Sequence, residues 1–402
     1  MAVLSVCENI LEVGAAHPDR VLFDSLMPTP HGTTYNAYLV TGKEKTALID
    51  AVDPDKIDVL MENLKEAGVS RIDYLIHLHT EQDHSGTSKA VLKKFPMAQL
   101  VASKKVQELL ETHVHIDPST VHVVDEDDTL DLGGLTLQFK LIPFAHWPDN
   151  TMVWLPEERV LFSSDLFGSH YATQKIFSTS SSELRFAAKT YYAEIMMPFR
   201  NKIVDYVRKV RDLNPRMIAP AHGPVWYDPE IILERYERWT SPMVKRMVTI
   251  PYISMHDSTR QIVERLAVRL SREGISVICR DLGQELDSLT VETGHFITDL
   301  VDAAAVIMAT PTVLGGPHPN VAYAALIANA IRPQPRFFGI VGSFGWASQA
   351  VKTLDSLTGN IKAERLEPLM IKGLPTEEDM NRIDAMAFDL AMKIKALPDL
   401  IR

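Results

Sequence analysis

His79-Thr80-Glu81-Gln82-Asp83-His84 places four potential metal ligands within six residues. The motif directly follows an apolar run at residues 74–78, which predicts a buried strand. A regular helix or strand cannot direct all four side chains to one point, whereas a loop changes backbone direction at every residue. We therefore expect a metal-binding loop at the end of a strand, and a polar surface loop with solvated charges is the alternative.

Three further potential ligands each follow a predicted strand. His146 comes after the strand predicted at 135–142, Asp165 follows a hairpin that ends at 162, and His222 follows a short strand at 217–219. Functional side chains often collect on the loops that leave one edge of a sheet. Imidazole suits iron and zinc equally, but carboxylates favour a harder metal and can bridge two ions.

Length and composition limit the class of protein. A chain of 402 residues predicts two domains, each large enough for its own core. The formal net charge of −11 argues against a nucleic-acid or anionic-membrane partner. No apolar stretch approaches the ~20 residues of a membrane span, and no signal peptide is recognisable. We therefore predict a cytoplasmic protein that has no membrane partner.

The chain has two cysteines, Cys7 and Cys279, which fall in different predicted domains. This predicts no disulfide framework, in agreement with a reducing cytoplasm. Because the sequence has no C-x-x-C pair, it predicts no thiolate-bound iron centre and no dithiol redox site of its own.

The pattern of predicted secondary-structure elements changes near residue 246. Residues 1–245 combine many short strands with interspersed helices, whereas residues 246–402 alternate regularly between strands and helices. Such alternation predicts a parallel sheet covered on both faces. The predicted elements are a hairpin of 36–40 and 46–50, helices at 54–67 and 183–214, strands at 248–253, 276–279, 303–309 and 337–341, and helices at 258–273, 323–331, 346–357 and 377–397.

Three loops of the second domain have the composition of a cofactor site. Ser254-Met255-His256-Asp257-Ser258-Thr259 follows the first strand and opens a helix, where hydroxyl and backbone N–H groups can bind a phosphate; a simple capping loop is the alternative. The other two loops follow the third and fourth strands, which places all three at the switch point of a doubly wound sheet. They are Thr310-Pro311-Thr312-Val313-Leu314-Gly315-Gly316 and Gly342-Ser343-Phe344-Gly345-Trp346-Ala347.

The ligand pattern resembles that of a known family. The first domain resembles a metallo-β-lactamase-type αββα sandwich, and its ligands resemble those of flavodiiron proteins (A-type flavoproteins). The zinc hydrolases of that superfamily typically read H-x-H-x-D-H, whereas Glu81 stands at the second ligand position here. The second domain resembles flavodoxin. The expected fold is thus a two-domain protein of α+β and α/β type, with the sandwich at 1–245 and the doubly wound, FMN-binding domain at 246–402.

The resemblance extends over essentially the whole chain and implies two cofactors. Two non-haem iron ions would be held in the first domain and FMN in the second, where Trp346 could stack on the isoalloxazine ring. An interface or core indole is the alternative for Trp346. By the family pattern, His79, Glu81 and His146 would bind one iron, Asp83, His84 and His222 would bind the other, and Asp165 would bridge them.

The same resemblance implies the activity. Electrons would pass from FMN to the diiron site, which would reduce O2 to water, NO to N2O, or both. The donor would be a separate rubredoxin-like protein or a reduced deazaflavin, and the assembly a head-to-tail homodimer or a dimer of such dimers. One alternative is a dizinc hydrolase with a passive flavodoxin-like domain. Another is a flavodoxin-like electron carrier whose first domain has lost its metals.

Some positions depart from the family or are ambiguous. Tyr192 resembles a tyrosine near the diiron pocket, although plain core packing is equally compatible with it. Asp24 stands near the place of a family histidine that reaches the site. Pro251 falls inside the predicted first strand of the second domain, which indicates a late strand start or a bulge. Ile253 stands where the family usually has an acidic residue.

Overall fold

Two compact units make up the chain, and the computed structural model describes residues 3–173, 176–178, 181–283 and 288–401. Two short segments that precede residue 238 group with the second unit. Within the described residues no helix is both long enough and apolar enough to cross a membrane. The first unit comprises Met1–Phe23, Thr29–Tyr192 and Phe199–Glu237, and the second comprises Asp24–Pro28, Ala193–Pro198 and Arg238–Arg402.

Strands dominate the described part of the chain up to residue 229. The strands are β1 (Leu4–Cys7), β2 (Ile10–Glu12), β3 (Ala15–His17), β4 (Leu22–Phe23), β5 (Met27–Pro28), β6 (Thr33–Tyr35), β7 (Tyr38–Thr41), β8 (Thr46–Ile49), β9 (Tyr74–His77), β10 (Gln99–Ser103), β11 (Val121–Val124), β12 (Thr129–Asp131), β13 (Thr136–Leu141), β14 (Thr151–Leu155), β15 (Val160–Phe162) and β16 (Met217–Ala219).

Helices connect these strands. They are α1 (Ile57–Glu66), α2 (Gln82–Ser85), α3 (Ser88–Lys94), α4 (Lys104–Val114), α5 (Ser182–Tyr191), α6 (Arg200–Leu213) and α7 (Glu230–Thr240), with a π-helical turn at Tyr192–Met196 and 3-10 turns at Pro54–Lys56, Pro118–Thr120 and Met197–Phe199. The helix predicted at 183–214 is thus divided into α5 and α6 by the turns at 192–199, which include Pro198, and α4 and α7 were not predicted.

The first unit is a two-sheet sandwich. One sheet has the order β1-β2-β7-β8-β9-β10-β11, and the other has the order β12-β13-β14-β15-β16. A single apolar cluster contains buried side chains of both sheets, such as Ile49 and Ile76 of the first and Phe139 and Val153 of the second. Because this cluster fills the space between the sheets, the prediction of a metallo-β-lactamase-like sandwich is confirmed.

The second unit is a doubly wound sheet. Its strands are β17 (Lys245–Tyr252), β18 (Ser276–Asp281), β19 (Ala303–Val313), β20 (Gly316–Pro317), β21 (Phe337–Phe344), β22 (Glu364–Arg365) and β23 (Leu369–Lys372), and its helices are α8 (Ser258–Arg272), α9 (Ser288–Asp299), α10 (Pro319–Ile331), α11 (Ala350–Leu357) and α12 (Glu377–Lys395). The order β18-β17-β19-β21 is parallel, with β22 and β23 both beside β21. This is the flavodoxin-like order that the sequence predicted.

Pro251 lies inside a central strand, and the two explanations offered for it were both wrong. Strand β17 begins early, at Lys245, and its irregularity lies between Lys245 and Val248. Pro251 is paired with Arg280 of β18, whereas no pair with β19 includes residues 250 or 251. Because proline lacks the N–H donor, the ladder toward β19 is interrupted at this point and the ladder toward β18 continues.

Two element boundaries in this unit also differ from the prediction. The third strand does not end at residue 309: β19 continues to Val313 and forms a hairpin with β20. Helix α11 begins at Ala350, so Trp346 precedes the helix and lies in the loop. Antiparallel pairing with β20 extends β19, and such pairing is a tertiary contact that local sequence does not display.

Candidate functional site

Five chain segments bring the seven predicted metal ligands together. His79 and Glu81 follow β9, whereas Asp83 and His84 lie on the single turn of helix α2, so the expected loop is partly helical. His146, Asp165 and His222 lie on the loops that follow β13, β15 and β16. The β-strands thus deliver all seven side chains to one region, as the placement of ligands after strands had suggested.

Four side chains form the first candidate metal group, which consists of His79, Glu81, His146 and Asp165. Their candidate ligand atoms all lie within 4.8 Å of one another. Nε2 of His79 is 3.0 Å from Oδ2 of Asp165, and Nε2 of His146 is 3.1 Å from the same oxygen. Oε2 of Glu81 is 3.1 Å from Nε2 of His146. Two imidazoles and two carboxylates therefore face a common point.

Three side chains form the second group, which consists of Asp83, His84 and His222, again with ligand atoms within 4.8 Å of one another. Oδ2 of Asp83 is 3.2 Å from Nε2 of His84 and 3.3 Å from Nε2 of His222. Oδ1 of Asp165 is 3.6 Å from His84 and 3.7 Å from His222. Asp165 thus presents one carboxylate oxygen to each group, which is the geometry of a bridging ligand.

The ligand atoms fit metal ions better than they fit one another. His79, His84 and Asp165 are at most 1% exposed. Nevertheless both carboxylate oxygens of Asp83 and Asp165, and Nε2 of His79, make no hydrogen bond with a described residue. Buried charged groups without hydrogen bonds are costly unless they are paired or coordinate a metal. The donor set therefore matches two closely spaced cations.

The electrostatics keep the carboxylates ionised. Burial raises the pKa of Asp165, but the facing imidazoles of His79 and His146 lower it well below its usual range. Burial lowers the pKa of His146, but the facing carboxylates of Asp165 and Glu81 raise it to about 10. In the metal-free state His79 and His146 thus hold positive charge that bound cations would replace.

Two of the ring nitrogens that face away from the cluster are also held. Nδ1 of His222 is 2.5 Å from the carbonyl oxygen of Thr34, and Nδ1 of His79 is 3.2 Å from Oγ of Ser164. With Nδ1 acting as donor, the neutral imidazole has an unprotonated Nε2, and this atom can bind a cation. Such outer partners fix the tautomer and orientation of a metal-binding imidazole.

The side chains around the second group required two corrections. The tyrosine ring beside His222 belongs to Tyr191, at 5.9 Å between centroids, whereas Tyr192 packs against Tyr236 at 5.2 Å. Asp24 is exposed in the turn after β4, and Phe23 before it is buried and 5.5 Å from the ring of His222. Neighbouring residues point in different directions on a helix or strand, and the sequence did not show which one faces inward.

A further residue of this environment is His170, which sequence reasoning missed. Its ring stacks on Phe23 at 4.4 Å, and its Nδ1 is 2.9 Å from Oγ1 of Thr33. Burial, followed by the charge of His222, lowers the pKa of His170 well below its usual range, so this imidazole is neutral. His170 follows no strand and belongs to no spaced motif, so the sequence carried no signal for it.

A cleft of about 200 Å³ in the second unit brings the three predicted cofactor loops together. The α8 N-cap, Asp257, has a left-handed backbone (φ 68°) and makes no side-chain capping hydrogen bond. The N–H of Arg260 donates to Oγ of Ser254 at 3.1 Å, which leaves the N–H groups of Ser258 and Thr259 for a phosphate. Gly373 also lines this cleft and was not predicted. The lining residues are Ser254, Met255, His256, Ser258, Thr259, Pro311, Thr312, Ser343, Phe344, Gly345 and Gly373.

The remaining predicted residues of these loops are not in the lining of the cleft. Asp257, Val313, Gly315 and Ala347 belong to the same loops. Leu314 is fully exposed and Trp346 is 91% exposed, whereas Met255 within the lining is 50% exposed. A buried core position for the indole of Trp346 is therefore excluded, and this side chain is available for contact with a cofactor or a partner.

Comparison with known proteins agrees with this geometry. Residues 33–223 match the family described as "ODP family beta lactamase". The coenzyme F420H2 oxidase of Methanothermobacter marburgensis is 33% identical, covering 81% of this chain and 83% of the relative. The nitric oxide reductase of Moorella thermoacetica is 31% identical, covering 98% of both chains. The crystal structure of the flavodiiron protein from Giardia intestinalis superimposes with a TM-score of 0.91 at 25% identity, covering 98% of this chain and 97% of that one.

This chain belongs to the flavodiiron protein family. Its similarity to those relatives extends through both units, which confirms the resemblance drawn from the ligand motif. Like other flavodiiron proteins it is an oxidoreductase, and the hydrolase alternative finds no support among these relatives. The electron-carrier alternative, which requires a lost metal site, disagrees with the complete set of seven ligands.

Proposed function

We propose that this flavodiiron protein passes electrons from FMN to two iron ions and thereby reduces O2 to water, NO to N2O, or both. The observation that carries this proposal is the pair of ligand groups that share Asp165, one carboxylate oxygen toward each. The names of the relatives support both O2 and NO as substrates, since one relative is an oxidase and another is a nitric oxide reductase.

In the proposed site His79, Glu81 and His146 hold one iron, Asp83, His84 and His222 hold the other, and Asp165 bridges them. Three carboxylates among seven ligands favour iron over zinc, because carboxylate oxygen is a harder donor than imidazole or thiolate. The bound iron would supply the electron-transfer steps and the open coordination position that a diatomic gas requires.

The surrounding side chains control water and protons. Phe23, Tyr191 and His170 are buried around His222 and limit the access of bulk water. Burial, followed by the negative charge of Asp165, raises the pKa of Tyr191 well above its usual value, so Oη keeps its proton. This hydroxyl has no hydrogen-bond partner among the described residues. We assign to Tyr191, in place of Tyr192, the role of a hydrogen-bond donor in the pocket.

FMN is proposed to occupy the cleft of the second unit. The phosphate would lie at the N-terminus of α8, with the hydroxyls of Ser254, Ser258 and Thr259 as further donors. The exposed indole of Trp346 is placed to contact the ring system, and Gly345 and Gly373 leave the backbone open there because no atom lies within 4 Å of a Cβ built on either.

Electrons must enter the diiron site from outside its ligand shell. The side chains of His146 and Glu81 are 18% and 13% exposed, whereas the other five ligands are at most 7% exposed. We therefore propose that the flavin of a partner protomer approaches the His146 side, in a head-to-tail homodimer or dimer of dimers. The external donor would be a rubredoxin-like protein or a reduced deazaflavin, and the assembly would be cytoplasmic.

The test is anaerobic photoreduction of the purified protein, followed by rapid mixing with O2 or NO while the flavin spectrum is recorded. We expect two irons and one FMN per chain, and rapid reoxidation of the flavin by at least one gas. The gas that reoxidises it faster is the preferred substrate.

Asp165→Asn provides the matched variant for this experiment. Loss of the bridging carboxylate should leave flavin content and photoreduction intact but abolish rapid reoxidation. Protein that is colourless and carries zinc would contradict the proposal and reinstate a hydrolase. Protein that contains iron and FMN but is reoxidised slowly by both gases would also contradict it.

A further inference from the structure

Asp149 connects two of the segments that carry proposed iron ligands. It lies three residues after His146, and its Oδ2 accepts hydrogen bonds from the backbone N–H of Thr80 at 2.9 Å and from its hydroxyl at 2.6 Å. Thr80 stands between His79 and Glu81, so one carboxylate oxygen holds the peptide that joins two ligands. Thr80 is completely buried, and Asp149 is 2% exposed.

Asn150 extends the connection to a third segment. Its Oδ1 accepts a hydrogen bond from the N–H of Trp147 at 2.6 Å, next to His146. Its Nδ2 donates to Oγ of Ser164 at 2.9 Å, and that oxygen is 3.2 Å from Nδ1 of His79. Since Ser164 directly precedes Asp165, the pair Asp149-Asn150 ties the His79, His146 and Asp165 segments to one another.

The second oxygen of Asp149 distinguishes this residue from ordinary packing. Oδ1 is buried and has no hydrogen-bond partner among the described residues. An asparagine would supply the same acceptor to Thr80, so the hydrogen bonds with Thr80 do not by themselves require a carboxylate at this position. Asp149 also lines a cleft of about 250 Å³, together with Ser103 and Lys104 at the junction of β10 and α4.

We propose that Asp149 is a positioning residue of the diiron centre. Through Thr80 it fixes the directions of His79 and Glu81, and its negative charge lowers the reduction potential of the metals. This inference rests on the proposed function, because it assumes that the seven ligands hold iron.

The experiment uses the iron- and FMN-loaded protein and four variants. Asp149→Ala removes both the acceptor and the charge, Asp149→Asn removes only the charge, and Thr80→Val removes the hydroxyl but keeps the peptide N–H. Asp125→Asn is the matched control, since Asp125 lines the same cleft but is exposed. The readouts are the rate of iron release to a chelator, the electron paramagnetic resonance signal of the mixed-valent centre and the midpoint potential of the irons.

We expect Asp149→Ala to release iron about 10–100-fold faster, the range that loss of an outer partner typically costs in metal affinity. Asp149→Asn should release iron more slowly than Asp149→Ala but shift the midpoint potential to a more positive value, because a buried negative charge is lost. Thr80→Val should alter the resonance signal and accelerate release with little change of potential, and Asp125→Asn should match the wild type.

Wild-type release rates in Asp149→Ala together with an unshifted potential in Asp149→Asn would overturn the inference. If Asp149→Ala does not fold, Thr80→Val and Asp149→Asn test the inference in its place, since both keep the size of the side chain. FMN content serves as the internal control for folding of the second unit. A wild-type protein that binds no iron would contradict the proposed function itself and is thereby distinguishable from failure of this inference.

Discussion

Glu12, a buried carboxyl group that is not one of the metal ligands, makes stability depend on pH. It is 4% exposed and accepts one hydrogen bond from the N–H of Gly14 at 2.9 Å. Burial raises its pKa from 4.5 to about 7. Between these values the folded protein holds a proton that the unfolded chain has released. The contribution to the free energy of unfolding is therefore complete below pH 4.5 and is lost as pH rises toward 7.

We predict that Glu12→Gln removes this dependence. The wild type should lose about 3 kcal/mol of stability from Glu12 between the two pKa values, and the variant should keep the Gly14 hydrogen bond without that loss. Urea unfolding of the first unit at pH 5 and pH 8 measures the difference. The exposed residue Glu8 supplies the control Glu8→Gln. An equal loss in Glu12→Gln and wild type would refute the assignment.

Residues in a spaced motif were predictable, whereas residues that depend on side-chain direction were not. The seven ligand positions came from the motif at 79–84 and from three residues after strands, and the structure brings their atoms together. The choice between Tyr191 and Tyr192 required the direction of each side chain on the helix. His170 reaches the pocket only because the segment that carries it, after Asp165, folds against Phe23 of β4.

Close packing of strand β21 against its neighbours limits which of its glycines can be replaced by a residue that has a Cβ. A Cβ built on Gly342 would lie 2.0 Å from the carbonyl oxygen of Thr310 in the neighbouring strand. Gly342 precedes Ser343, which lines the proposed FMN cleft. On the same strand a Cβ on Gly339 would approach only side-chain ends, at 3.3–3.6 Å.

We predict that Gly342→Ala destabilises the second unit by about 1–3 kcal/mol, the usual cost of forcing extra atoms into a packed interior. It should also reduce FMN retention, because β21 must shift away from β19 at the edge of the cleft. Gly339→Ala should cost less and retain FMN, since flexible side chains can move. Thermal unfolding and flavin content measure both effects, and equal behaviour of the two variants would contradict the prediction.

Most elements were predictable because their apolar periodicity is local. The strands and helices of the second unit follow regular alternation, and β17, α8 and α12 lie close to the predicted ranges. The extension of β19 to Val313, the position of Pro251 and the late start of α11 depend on pairing and packing with other elements. Such tertiary contacts override local propensity at the ends of elements.

At the scale of the whole molecule, we expect the metals to stabilise only the unit that binds them. In the metal-free first unit, buried carboxylates and imidazoles face one another with few hydrogen bonds. Metal present at 1,000 times its dissociation constant contributes about 4 kcal/mol, which for a unit of this size corresponds to roughly 10 °C in Tm.

Calorimetry of chelator-treated protein measures this effect. Removal of iron should lower the Tm of one unfolding transition by roughly 10 °C and leave the Tm of the second unchanged. Removal of FMN should instead lower the Tm of the second transition and leave that of the first unchanged. The matched treatments thus assign each transition to a unit. A single transition that responds equally to both treatments would show that the two units do not unfold independently.

The class of this protein follows from local patterns: the ligand motif, its carboxylate content and the change to strand–helix alternation each indicate chemistry or periodicity within a short stretch of sequence. Three-dimensional contacts were needed to show how Asp165 divides its oxygens between two groups, which tyrosine and which hairpin residue face His222, and how Asp149 and Asn150 join three ligand segments. These features depend on distances between residues far apart in the chain, because packing of the two sheets, and not local propensity, determines them.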